Sequence, residues 1–165
     1  MVASVSNRME SLKFLMVSTY YPPAHLGGDA RFVEYLSDEL VRAGHEVHVL
    51  HSPNAFISQR GFLPDLDSVT RTGVHRHIHM SALGRGDPVL SLMSGQSPGA
   101  IDRLRELVRR LKPEVVHWHN TKGFIGRPIP FNHALSLYTA HDYYIICPRS
   151  SLLRPNQQVC KNPFM

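Results

Sequence analysis

A strand, a helix and a second strand open the regular pattern of this chain. Residues 13–18 are an apolar run that ends before Pro22 and Pro23, which predicts a buried strand followed by a loop. A helical pattern then runs from Asp29, which favours a helix start, to Gly44, which favours a helix end. Its apolar stripe comprises Phe32, Val33, Leu36, Leu40 and Val41, and the polar residues off the stripe are Arg31, Glu34, Asp38 and Arg42. Residues 46–50 alternate as a strand, so the segment predicts a right-handed β-α-β unit with parallel strands.

The rest of the chain adds three strands and one helix to this pattern. Residues 52–73 and 81–98 show no clear period and predict long connections, which are usually functional or mobile. Strands are predicted at residues 74–80, 115–119 and 135–140. The second helix ends before Pro113, and its apolar stripe comprises Ile101, Leu104, Leu107, Val108 and Leu111. The order β-α-β-β-α-β-β predicts an α/β fold, a Rossmann-like parallel sheet flanked by helices.

The length of 165 residues and the composition, 42% apolar and 19% charged, are those of one soluble folded domain. No apolar run approaches the roughly 18 residues that span a bilayer, which excludes a transmembrane helix. Residues 1–11 are polar, lack a signal-peptide core and predict a flexible leader before a domain at residues 12–165. Cys147 and Cys160 cannot form a disulfide framework, and a buried thiol pair is expected rather than zinc ligands. These features favour a cytoplasmic protein.

The excess of 18 Lys and Arg over 13 Asp and Glu gives a net charge of +5, which suits phosphorylated substrates, nucleic acid or an anionic membrane surface. The sequence carries no RNA-binding aromatic motif and no helix-turn-helix pattern, so nucleic acid is not an expected partner. Several cations share the second predicted helix: Arg103, Arg105, Arg109, Arg110 and Lys112. Such a helix can lie on anionic lipid at the inner membrane face, but Glu106 interrupts the cluster and favours an ordinary solvated face.

Two polar segments fall beyond the carboxyl ends of predicted strands, where open α/β sheets bind ligands. Gly27 and Gly28 precede the first helix, so backbone amides and the positive helix end could meet a phosphate there, or the glycines could simply form a tight turn. Neither the Gly-x-Gly-x-x-Gly fingerprint nor a P-loop is present. His141 and Asp142 follow the last strand. This imidazole could donate to a substrate hydroxyl or exchange a proton, or the pair could only cap a turn.

The eleven histidines of the chain raise the question of a metal site. His117 and His119 point to one side of their predicted strand, and His75, His77 and His79 point to one side of theirs. Such spacing permits shared ligation, but it is also typical of a half-exposed strand. Because no cysteine pair or carboxylate cluster completes a tetrahedral set, we predict no metal site.

Three motifs in a fixed order resemble the start of glycosyltransferase family 4 enzymes, which have the GT-B fold. The first comprises YYPP at residues 20–23, GG at 27–28 and AGHEV at 43–47. The second is PEVVHWHN at residues 113–120, which is similar to the family's fourth strand and its exit. The third is TAHDYY at residues 139–144, followed by Cys147 and Pro148. The resemblance covers most of the chain, and its specificity lies in the order and spacing of the motifs.

This resemblance implies a two-domain enzyme that transfers a sugar from a nucleotide-diphosphate sugar to an acceptor hydroxyl, usually with retention of configuration and without a cofactor or an obligatory metal. The chain corresponds to the amino-terminal, acceptor-side domain, truncated at its end, with the carboxyl-terminal donor domain absent. By this likeness Gly27 and Gly28 approach the donor phosphates and His141 is the catalytic residue. The candidates for the cleft and acceptor site are Asn120, Lys122 and Asp142.

The implied acceptor is a carbohydrate, a lipid-linked molecule or a small molecule. We expect the isolated chain to fold without catalysing transfer, because the groups around the departing diphosphate belong to the absent domain. The alternative from another class of protein is a free-standing, non-catalytic module of the same fold that binds phosphate or sugar.

Overall fold

A five-stranded parallel sheet forms the centre of the computed structural model, which describes residues 10–68, 73–147 and 150–160. The strands are β1 Lys13–Val17, β2 Glu46–His51, β3 Val74–Ile78, β4 Val115–Trp118 and β5 Leu135–Tyr138. Their order across the sheet is β3-β2-β1-β4-β5, and each neighbouring pair is parallel. The predicted Rossmann-like α/β fold is therefore confirmed. Residues 1–9 of the predicted leader and Pro148 of the third motif lie outside the described residues.

The described part of the chain contains four α-helices: α1 Gly28–Arg42, α2 Asn54–Arg60, α3 Asp87–Ser94 and α4 Ala100–Leu111. The sequence predicts α1 and α4. It misses α2 and α3, which lie in the two stretches predicted as irregular connections, together with a 3₁₀ turn at Gly84–Gly86. That part of the prediction is wrong because both helices are too short to show a helical period. In addition, α3 has a proline in its first turn, a position that helices tolerate although proline usually indicates a break.

Apolar side chains pack on both faces of the sheet, since successive strand residues point to opposite sides. One face packs against α4, and the buried cluster there comprises Leu15, Val17, Leu50, Ala100, Leu104, Leu107, Val108, Val116, Trp118, Phe124 and Ile125. The other face packs against α1, where the buried cluster comprises Met16, Tyr21, Val33, Val47 and Val49. The sheet is therefore the middle of three layers, with α1 and α4 on opposite faces.

Helix α1 buries most of its predicted apolar stripe: Val33 is buried, and Leu36, Leu40 and Val41 pack against the same cluster. Two positions depart from the prediction. Phe32, placed on the stripe, is 45% exposed, whereas Glu34, placed off the stripe, is completely buried. Arg31 donates to the Glu34 carboxylate at 2.7 Å, which offsets part of the cost of burying that charge. Phe32 instead lies against two histidine rings beyond the sheet edge. An aromatic side chain that the pattern assigned to the core thus lies at the edge where ligands are expected.

The basic helix α4 buries its apolar stripe against the sheet and leaves its cations outside. Leu104 and Leu107 are completely buried, while Arg103 pairs with Glu106 on the exposed side at 2.6 Å. The apolar stripe of this helix therefore belongs to the core, and its cations lie on the side away from the sheet. Among the described residues, no helix combines the length and the apolar character needed to cross a membrane.

Candidate functional site

The loops after β1 and β4 are joined at the carboxyl edge of the sheet. From β1 the chain crosses to β2 on one side, and from β4 it continues to β5 on the other, so this edge is the point at which such sheets bind ligands. The Thr19 amide donates to the Asn120 carbonyl at 2.7 Å, and the Thr19 hydroxyl donates to the Lys122 carbonyl at 3.0 Å. The first turn of α1 and the segment after β5 reach the same edge, where they bond to the loop after β4.

Asp29 links the start of α1 to the loop after β4. One carboxylate oxygen accepts the Ala30 amide at 2.8 Å, and the other accepts the side-chain amide of Asn120 at 3.1 Å. The side-chain oxygen of Asn120 in turn accepts the Lys122 amide at 3.1 Å. The sequence indicated Asp29 only as a helix start, and no local signal shows that it pairs with a residue 91 positions away.

Three histidines form a row at the ends of β4 and β5. The rings of His117 and His119 have centroids 4.2 Å apart, and Nδ1 of His119 lies 3.2 Å from Nε2 of His141. Nε2 of His117 lies 2.8 Å from the Thr139 hydroxyl. Phe32 of α1 closes the row, with its ring 5.3 Å from that of His141. The alternation of His117 and His119 was visible in the sequence, but their link to His141 was not.

Burial keeps this row of histidines neutral. It lowers the pKa of His119 to about 2, with the neighbouring His117 and His141 adding to the effect. Burial also lowers the pKa of His141, although the carboxylates of Asp29 and Asp142 oppose that shift. These rings can therefore act near neutral pH as hydrogen-bond donors and acceptors rather than as cations.

The start of α1 at Gly27 and Gly28 is open. Gly27 is extended, with a φ of −159°, and a Cβ there would lie 3.5 Å from a carboxylate oxygen of Asp29. A Cβ on Gly28 would have no atom within 4 Å apart from its own neighbours in the chain. An extended backbone does not require glycine, so a tight turn is not the reason for Gly27. The absence of side chains leaves room for a ligand to approach the first amides of α1.

Asp142 and Lys122 are engaged within the loops of the site. The Asp142 carboxylate accepts the Tyr144 amide at 2.8 Å, which is the turn-capping geometry considered from the sequence. The Lys122 ammonium donates to the Ser150 hydroxyl at 3.2 Å and lies 5.4 Å from the ring centroid of Tyr144. Both candidates thus shape the loop after β5, and His141 is the member of the His-Asp pair whose ring is engaged at the sheet edge.

The histidine row is not arranged as a metal site. In the ranges that the structure describes, no group of three or more His, Cys, Asp or Glu residues could hold a metal ion. His119 and His141 direct ring nitrogens at one another rather than at a common point. Cys147 is buried and Cys160 half-buried. That the protein binds no metal stays a prediction, which elemental analysis of the purified protein can test.

Acid is expected to destabilise the fold through its buried neutral histidines. Burial lowers the pKa of His51, at the end of β2, to about 3, and that of His119 to about 2. In the unfolded chain both rings take up a proton near pH 6.5. Their contribution to stability is therefore fully present above about pH 6.5 and is lost as the pH falls below it. Urea denaturation between about pH 8 and 5, followed by the fluorescence of the single tryptophan, measures this loss.

Replacing His51 by leucine should make the free energy of unfolding depend less steeply on pH, because one proton is no longer taken up on unfolding. The control variant replaces His133, which is exposed, by glutamine. Two results contradict the prediction: a wild-type free energy of unfolding that does not change between pH 7 and 5, or a pH dependence that is equally steep in His51→Leu and in the wild type.

The chain is similar to a known protein family over most of its length, and not only at single motifs. The family model described as Glycosyltransferase Family 4 matches residues 26–161. That segment contains every candidate site residue, from Gly27 and Gly28 to His141 and Asp142. No curated protein matches the chain significantly. Because the family model covers well over half of the 165 residues, the chain belongs to Glycosyltransferase Family 4.

Proposed function

We propose that this chain is the amino-terminal, acceptor-side domain of a two-domain glycosyltransferase of the GT-B fold. The enzyme transfers a sugar from a nucleotide-diphosphate sugar to an acceptor hydroxyl with retention of configuration. One observation carries the proposal: the open start of α1 and the imidazole of His141 lie at the same sheet edge. Asp29 is close enough to influence the pKa of His141, and the Phe32 ring is 5.3 Å from it. Family membership indicates the chemistry for which this arrangement is suited.

The donor diphosphate binds at Gly27 and Gly28 in this proposal. The first amides of a helix point outward and its dipole favours negative charge, so a phosphate is a suitable ligand there. The open space at Gly28 supports a close approach. In this proposal the transfer reaction uses no cofactor. The second domain supplies most of the groups that stabilise the departing diphosphate, so the isolated chain folds without catalysing transfer.

His141 acts by hydrogen bonding and not as a covalent nucleophile. Burial lowers its pKa, so the ring is neutral near pH 7, and it is half-exposed at the sheet edge. A neutral imidazole held there can position a hydroxyl of the transferred sugar or the acceptor in a cleft from which the second domain excludes water. Asn120, Lys122 and Asp142 support the loops around it. The acceptor is a carbohydrate, a lipid-linked molecule or a small molecule.

A non-catalytic module that binds phosphate or sugar is the second candidate. It is favoured by the internal engagement of the polar side chains, since Asp29 bonds Asn120 and Lys122 bonds Ser150. In either case we propose a cytoplasmic protein that does not bind nucleic acid. The exposed cations of α4, among them Arg105, support a peripheral contact with the inner membrane face.

The decisive experiment compares this chain with a longer protein that joins it to the second domain. Both are assayed against a panel of nucleotide sugars and acceptors, and binding of a nucleoside diphosphate is measured by calorimetry. We expect transfer only by the longer protein. Comparable turnover by the isolated chain contradicts the two-domain proposal, and binding without transfer by the longer protein supports the non-catalytic module.

The variant Gly28→Ala keeps the backbone amide but places a methyl group where the phosphate would approach. We expect it to weaken nucleoside diphosphate binding about 10- to 100-fold, as much as the loss of one charge-assisted hydrogen bond. The added methyl group enters open space, so the free energy of unfolding should change by less than about 0.5 kcal/mol. Gly86→Ala is the matched control, since Gly86 also has open space around it and precedes α3. Equal binding by the Gly28 variant and the wild type contradicts a phosphate site at this turn.

A further inference from the structure

The ring of His119 is enclosed at the end of β4. The residue is completely buried, and its ring centroid lies 4.2 Å from that of His117 and 6.0 Å from that of Phe32. Its Nδ1 lies 3.2 Å from Nε2 of His141. Its Nε2 is buried and finds no hydrogen-bond partner in the described part of the chain.

A neutral imidazole carries one N–H, on either of its nitrogens. If His119 carries this proton on Nε2, a buried donor is left without a partner, which folded proteins rarely tolerate. If the proton is on Nδ1, the N–H donates to His141 and only a lone pair is left unpaired. The second arrangement is therefore favoured. It also leaves Nε2 of His141 as an acceptor, so a neutral His141 carries its own proton on Nδ1.

We propose that His119 is a positioning residue, which donates its Nδ1–H to Nε2 of His141 and thereby fixes His141 in the tautomer protonated on Nδ1. The ring of His141 makes no other hydrogen bond to the described residues, so its Nδ1–H is the group offered to a ligand. That group recognises an electron-rich oxygen, of a sugar hydroxyl or of a phosphate, and does not remove a proton. The identity of the ligand rests on the proposed function.

The same contact opposes protonation of His141. An imidazolium has an N–H on both nitrogens, so His119 would have to accept at Nδ1 and move its own proton to the enclosed Nε2. The titratable groups that face the His141 ring are Asp29 on α1, Asp142 in its own loop and His119 just after β4, with His117 on β4 behind His119. The two carboxylates favour the charged ring, and burial opposes it. The neutral donor is the form that His119 stabilises.

Long-range proton–nitrogen NMR spectra of the ¹⁵N-labelled chain at about pH 7.5 test the proposal, since they show which ring nitrogen of each histidine carries the proton. The signals of His141 and His119 are assigned from the variants His141→Gln and His119→Leu. In the wild type we expect both rings to be protonated on Nδ1. His119→Leu should lose this form at His141, which then shifts to the Nε2-protonated form, whereas His119→Asn supplies an amide N–H and should retain the Nδ1 form.

His51→Leu is the matched control, because His51 is equally buried at the end of another strand and should leave the His141 tautomer unchanged. Backbone amide spectra report whether each variant is folded. A proton on Nε2 of wild-type His141, or an unchanged tautomer in folded His119→Leu, overturns the proposal; if that variant does not fold, the wild-type spectrum alone decides. The readout does not depend on sugar transfer, so an inactive longer protein would refute the proposed function and leave this result standing.

Discussion

Replacing His141 by alanine is expected to lower the rate of sugar transfer about 100- to 1,000-fold in a protein that joins this chain to the proposed second domain. Removing one preorganised donor at a reacting centre typically costs that much. The ring is half-buried and hydrogen-bonds only to His119 among the described side chains. Because its removal leaves the buried His119 without a partner, the free energy of unfolding should fall by about 1–3 kcal/mol. Initial rates at saturating nucleotide sugar and urea denaturation of the same preparation measure the two effects.

The control for this variant is His133→Ala, which removes an exposed histidine away from the sheet edge and should change neither quantity. If the His141 variant instead loses activity only in proportion to its loss of stability, the residue serves the turn that Asp142 caps. In that case the catalytic assignment of His141 is wrong.

Trp118→Ala is expected to lower the free energy of unfolding by about 3–5 kcal/mol, the usual cost of truncating a large buried ring. Trp118 is completely buried in the cluster between the sheet and α4, and its indole N–H donates to the Ser136 hydroxyl at 3.1 Å. The substitution leaves a cavity on a strand that has neighbours on both sides. Because domains are typically stable by about 5–15 kcal/mol, this loss should be evident in urea denaturation followed by circular dichroism.

Trp118→Phe separates the two contributions of this residue. It keeps most of the apolar volume and removes the hydrogen bond to Ser136, so a loss of only about 1–2 kcal/mol is expected. A loss below about 1 kcal/mol for Trp118→Ala would show that β4 and β5 do not unfold together with the rest of the sheet.

Periodicity predicted most of the sheet because parallel strands buried on both faces read as short apolar runs. It also predicted α1 and α4, whose lengths of 15 and 12 residues show a full amphipathic pattern. It failed for α2 and α3, which are seven and eight residues long. It also misplaced Phe32 and Glu34, since a helical pattern does not reveal that an arginine on the same helix pairs with a buried carboxylate.

The candidate site was predictable in its location but not in its contacts. Gly27, Asn120 and His141 each follow a predicted strand, and parallel strands bring such residues to one edge. The bond between Asp29 and Asn120 and the bond between His119 and His141 depend on how the loops turn after the strands end. Local pattern has no information on that geometry. The contact of His119 with His141 was therefore not predicted, although its position on the same side as His117 was.

The bonds that join the loops at the sheet edge also bear on motion. Thr19 and Asp29, on either side of the loop after β1, are both tied to the loop after β4 through Asn120. Lys122 extends that connection to Ser150 in the segment after β5. If one of these loops moved by itself to close over a substrate, several of these hydrogen bonds would break at once. We therefore expect this edge to stay rigid, so that in the proposed two-domain enzyme any closing movement is made by the second domain moving as a rigid body.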